Sequence, residues 1–165
     1  MRRGAIFPDT LLAALVAVVV ALATMTPPSG IAPADAAGPA LAVIVHPSRT
    51  ESVEARDLVR IYLRKRRFWN DGSPIVPLNR EAGSVEREAF SASVFGAEST
   101  YLAAYWNERY FHGVFPPTVL ASNEAIKRYV ATDRGAIGYI DAREIDSSVH
   151  VVLTIAIGGA VEPPP

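Results

Sequence analysis

There is no cysteine anywhere in the chain, so no disulfide, no thiol nucleophile, no cysteine-ligated metal and no lipid carried on a cysteine can belong to it. Histidine is nearly as scarce. The three present, His46, His112 and His150, fall in separate parts of the chain with no carboxylate or second histidine at ligand spacing. There is no Gly-x-Ser-x-Gly elbow and no pair of acids in a recognisable catalytic frame, and we therefore expect neither an enzyme nor a metal or other cofactor. Excess charge is missing too. Lysine and arginine (16) nearly balance aspartate and glutamate (17), for a net charge of −1, which argues against a nucleic-acid partner held by the overall field.

Apolar residues are unevenly spread. Arg2 and Arg3 precede the apolar run Leu11 to Ala23, and Ala34-Asp35-Ala36 places small residues where a signal peptidase cuts. Residues 1–36 read as a secretory signal and 37–165 as one domain, which predicts a periplasmic protein. The alternative is an anchor to the inner membrane by an uncleaved N-terminal segment. Against it, the apolar run is shorter than the roughly 20 residues that span a bilayer, and Pro27-Pro28-Ser29-Gly30 follows closely. Removing the segment takes away two arginines and two aspartates, so the net charge is unchanged.

Within 37–165, Leu41 to Val45 is a continuous apolar run, expected to be a strand buried on both faces. Ser48 and Ser52 offer caps to a helix with Ala55, Leu58, Val59, Ile61 and Tyr62 at helical spacing, closed by the solvated cations Arg64-Lys65-Arg66-Arg67. The turn Asn70 to Pro74 leads to a strand over 75–79, in which Pro77 predicts an edge or a strand end. Helices follow over 85–94, with Val85, Ala89, Phe90 and Val94 inward, and over 99–111, with Leu102, Tyr105, Trp106 and Tyr110 on one face. After the rigid loop 112–117, Ser122 caps a helix through about Ala131, and strands follow at 136–140 and 150–155. The order β-α-β-α-α-α-β-β predicts an α/β fold, a mixed sheet with helices on its faces.

The stretch with the most chemical promise is Asn79 to Phe90, read as strand, tight turn and helix start. Arg80 supplies a forked donor for an oxyanion, Gly83 permits a close backbone approach, and Ser84 stands at a helix N-terminus whose N–H groups and dipole favour an anion. The rival reading is that Ser84 simply caps its own helix by accepting the N–H of about Arg87.

Taken together, the segment Val53 to Leu63, Phe68 to Pro77, Gly83 to Phe90, Tyr105-Trp106, Phe111-His112-Gly113, Pro116-Pro117 and Gly135 to Ile140 resembles the phosphate ABC transporter substrate-binding protein family, in its short single-lobe form. The resemblance implies a single lobe of a type 2 periplasmic-binding-protein-like fold and a role in binding phosphate or a similar oxyanion. It places Arg80, Gly83 and Ser84 at the ligand, with Ser48 after the first strand as a helper. In the family's turn, Arg-x-Asp-Gly-Ser-Gly-Thr, the aspartate, second glycine and threonine correspond here to Ala82, Val85 and Glu86. The carboxylate of Glu86 would meet a bound phosphate with repulsion, so a protein-interaction module that kept the fold but lost the ligand is the alternative reading. One lobe is half of a clamp, and the missing half would come from a homodimer, an ABC transporter or another envelope protein.

Overall fold

The computed structural model describes residues 39–157 and, for the backbone alone, 161–162. The expected signal segment and the 36/37 boundary lie outside the described residues. Six strands form one mixed sheet in the order β3 (Thr118–Leu120), β2 (Val76–Arg80), β4 (Ala136–Asp141), β1 (Ala40–Val45), β5 (His150–Ala156), β6 (Val161–Glu162). The first, β1 (Ala40–Val45), is the buried run read from the sequence. Its side chains alternate between two cores: Leu41, Val43 and Val45 enter one, Ala42 and Ile44 the other. Strand β4 (Ala136–Asp141) lies antiparallel on one side of it, and β5 (His150–Ala156) antiparallel on the other.

The helices α1 (Ala55–Tyr62) and α2 (Val85–Phe95) cover the first core, with Leu58, Ile61, Tyr62 and Phe90 packed on Val43 and Tyr139. The second core is roofed by α4 (Asn123–Thr132), through Ile126 and Val130. This is the expected α/β arrangement, two helical layers around a mixed sheet. Helix α4 comes close to the sheet at Gly138 in β4, where a Cβ would lie 2.5 Å from Ile126 Cγ2.

Several local expectations are corrected. Helix α1 is capped two residues later than Ser52, by Glu54, because Glu54 and Asp57 form a reciprocal capping box. It ends at Tyr62, and the basic run that follows is not simply solvated. Arg66 pairs with Glu51 and Asp57. Strand β2 (Val76–Arg80) is interior, because the short β3 (Thr118–Leu120) pairs with it in parallel and takes the edge. Pro77 nonetheless lies at a strand end, the other place expected for it: it is the second residue of β2, the Val76 N–H is directed to the Gly135 carbonyl beside β4, and the N–H that Pro77 lacks falls on the β3 side, where pairing starts only at Leu78. Val85 points outward, 75% exposed, being the first residue of α2. Residues 99–102 form a tighter 3-10 turn before α3 (Ala103–Phe111), and no residue of α3 is buried. A short strand β6 (Val161–Glu162) pairs with β5. None of the helices described is long and apolar enough to cross a membrane.

Candidate functional site

The strands β2, β3 and β4 are parallel, so their carboxyl ends lie together. The helix after β2 packs on one face of the sheet and the helix after β3 on the other, which opens a crevice between them at that end. Arg80, the last residue of β2, fills it and is 8% exposed. Two helix N-termini therefore flank one guanidinium: α2, capped by Ser84, and α4, capped by Ser122.

Every approach to Arg80 is made by the chain itself. Its Nη1 lies 3.3 Å from Glu86 Oε1, in the first turn of α2, and donates to Asn123 Oδ1, in the first turn of α4. Nη2 donates to the Ala121 carbonyl at 3.3 Å, while Nε is buried with no hydrogen-bond partner. The Asn123 amide closes the ring, donating to Glu86 Oε1 at 2.9 Å and to Glu144 Oε1 at 2.8 Å. Burial alone would raise the Glu86 carboxyl pKa. Its own helix N–H, the Asn123 amide and Arg80 outweigh that and hold it below the usual range. Glu86 is thus an ionised internal anion seated on the Arg80 fork, and Glu144 leaves the cluster with an excess of negative charge.

The turn after Arg80 is self-satisfied in the same way. Gly83 adopts φ 82°, a conformation that a residue with a Cβ enters only with strain, although the space around it is open. Its N–H donates to Glu88 Oε1 at 3.3 Å, and the Glu88 carboxylate also receives the Ser99 hydroxyl at 2.6 Å. The Ser99 and Gly83 hydrogen bonds depress the Glu88 carboxyl pKa. Ser84 accepts the Arg87 N–H at 3.3 Å and donates its hydroxyl to the Glu81 carbonyl at 2.9 Å. The self-capping alternative is therefore the arrangement present.

Behind the turn stands Tyr139, on β4. Its hydroxyl accepts the Arg80 N–H at 3.2 Å and donates to Asn79 Oδ1 at 3.1 Å. Its ring stacks on Phe90 of α2 with centroids 3.9 Å apart and planes 5° from parallel. Burial pushes the Tyr139 phenol above its ordinary pKa, so it stays a neutral donor and acceptor.

Arg80, Gly83 and Ser84 are brought together by local sequence. Ser48 is not with them. Strand β1 runs antiparallel to β4, with Val45 opposite Ile137 at the start of β4, so the loop after β1 emerges at the other end of the sheet from Arg80. There Ser48 lies 2.9 Å from His46 Nδ1, on a polar cleft of about 390 Å³ that also holds Arg49 and Arg134. That cleft is the surface of a structural hub, with Arg49 donating to the Arg134 carbonyl and its guanidinium 4.3 Å from the Trp69 ring centroid. Asn123 and Tyr139 escaped the sequence reading. Asn123 looks like an ordinary first-turn residue and Tyr139 like a core aromatic, and only strand order brings them to Arg80.

Comparison with solved structures puts this fold among phosphate receptors. A phosphate ABC transporter substrate-binding protein with bound phosphate from Clostridium perfringens matches at 27% identity and TM-score 0.57, over 69% of this chain and 44% of that one. An ABC-type phosphate transport receptor from Vibrio cholerae matches at 22% identity and TM-score 0.57, over 69% and 45%. PstS from Borrelia burgdorferi matches at 15% and 0.52, over 74% and 48%. The chain spans less than half the length of these structures, and it has the fold of a single lobe of theirs. The resemblance read from the sequence is borne out at this level, and the relatives are transport receptors rather than enzymes. No protein-family model matches the chain and no curated protein matches it.

Proposed function

We propose that the protein is an exported solute-binding module for phosphate or a similar oxyanion, linked to phosphate ABC transport, with the Arg80–Ser84 turn as its seat. Residues 37–165 form the working domain in this reading, and residues 1–36 a secretory signal. The observation that carries it is the convergence of two helix N-termini on a buried arginine, whose Nε is left without a partner, at the carboxyl ends of parallel strands. Glu86 holds the place of the ligand, and phosphate enters by displacing its carboxylate from Arg80 and taking donors at Arg80, Gly83 and Ser84. Ser48 has no part in this seat.

Calorimetric titration of the full chain with phosphate tests the reading. Arg80→Ala should abolish the binding heat. Glu86→Gln, which keeps the shape and removes the competing charge, should tighten binding by about tenfold or more, the effect of roughly 1.4 kcal/mol. Absence of heat in both the parent and Glu86→Gln at millimolar phosphate would overturn it. That result would favour the second reading, an envelope interaction module in which Glu86 and Glu88 have permanently taken the anion's donors.

A further inference from the structure

A second groove, of about 270 Å³, opens at the amino-terminal ends of β2 and β3, beside Val76 and Thr118 and at the opposite end of those strands from Arg80. Arg64 and Arg67 form one wall and the loop Val114 to Pro117 the other. Arg64 holds φ 57°, which is uncommon for a residue with a Cβ, and its Nη1 donates to the Ile75 carbonyl at 3.1 Å. Arg66, between them, is taken up by Glu51 and Asp57; Arg64 and Arg67 pair with no carboxylate among the described residues. The groove is therefore a concave site with two uncompensated cations.

Phe115 of its lining leads outward to two further aromatic rings. Tyr110, Phe111 and Phe115 are 60%, 86% and 60% exposed, and Tyr110 meets both other rings edge-on at 6.1 and 5.5 Å. They come from α3 and the loop after it, α3 being the one α-helix among the described residues with no buried residue of its own. Beside the groove runs β3, which among the described residues pairs with β2 on one side only, so its outer edge can take a further strand. Exposed apolar rings, a free strand edge and unpaired arginines in one place exceed what a solvated loop requires.

We propose that this groove docks an extended acidic segment of a partner protein, which adds along the β3 edge, sets its carboxylates on Arg64 and Arg67, and lays apolar side chains against Phe115 and its neighbours. Charge chooses this occupant. A second copy meeting the groove face to face would oppose arginine to arginine, and a flat lipid surface leaves the concavity unfilled. The site is separate from the oxyanion seat and stands whether or not that seat binds phosphate.

Fluorescence anisotropy of the full chain with a fluorescein-labelled peptide of alternating glutamate and leucine tests the inference. The peptide should bind, weaken with added salt, and lose about tenfold or more in affinity on Arg67→Glu or Phe115→Ser, both exposed changes that leave the core intact. A peptide with lysine in place of glutamate should bind only Arg67→Glu. Ser84→Ala and Arg80→Ala should leave the glutamate peptide's affinity unchanged. The proposal is overturned if the lysine peptide binds the parent equally, if neither groove variant changes affinity, if millimolar phosphate displaces the peptide completely, or if anionic phosphatidylglycerol vesicles retain the protein while the peptide does not bind.

Discussion

At the scale of single residues, the decisive contact is between Arg80 and Glu86. A guanidinium buried beneath two helix N-termini is costly without a counter-charge, and the chain supplies one from its own first helical turn. The Glu86 carboxyl is held below its ordinary pKa of 4.5, so its ionised form stabilises the fold above the unfolded value. That contribution disappears as pH falls through the lower folded value. Urea unfolding between neutral and acid pH should therefore show the parent losing stability below about pH 4.5, with Glu86→Gln losing less across the same window. Equal slopes for the two proteins would show that the Arg80 pair does not contribute. Arg80, Gly83 and Ser84 were legible because they lie within five residues and belong to one turn. Ser48 was misplaced because strand direction, a pairing between distant segments, decides which end of the sheet a loop occupies.

At the scale of elements, α2 depends on its cap. Ser84→Ala removes the acceptor for the Arg87 N–H and should cost about 1 kcal/mol, whereas Ser84→Gly should cost only a few tenths. A melt showing equal losses would mean that Glu88, and not Ser84, holds the helix start. Packing of α4 on β4 is tighter still. Gly138→Ala drives a methyl to 2.5 Å from Ile126 Cγ2, on a stiff branched side chain, and should destabilise by about 1–3 kcal/mol in chemical denaturation. An unchanged midpoint would show that α4 moves freely. The continuous apolar runs of β1 and β4 and the helical spacing in α1, α2 and α4 were readable. The strand β3 was not, since three residues after two prolines carry no pattern and are strand only because β2 lies beside them. The apolar face of α3 was readable from its spacing, but how little covers it was not: Leu102, Tyr105 and Trp106 are half-buried and Tyr110 is exposed, and spacing marks a stripe without saying what packs on it.

For the molecule as a whole, the sheet is closed by its late strands. Val152, Leu153 and Ile155 of β5 are buried in the first core, each worth about 1.5–3 kcal/mol, against a total stability of about 5–15 kcal/mol for an ordinary domain. A chain cut before His150 should show no cooperative unfolding transition by circular dichroism, and a sharp transition in it would mean that β1, β2 and β4 suffice. The match to less than half of the length of each receptor structure concerns a complete sheet with both faces covered, which is why this lobe is self-contained in packing.

The position of β1 also sets an order in time. Leu41 sits opposite Asp141 on one side and Ile155 on the other, so β1 finds both of its neighbours only once more than a hundred further residues have been made. Until then the run Leu41 to Val45 has neither partner and the sheet cannot close. Synthesis therefore runs ahead of folding here, and the centre of the sheet is completed late, from pairings of long sequence separation.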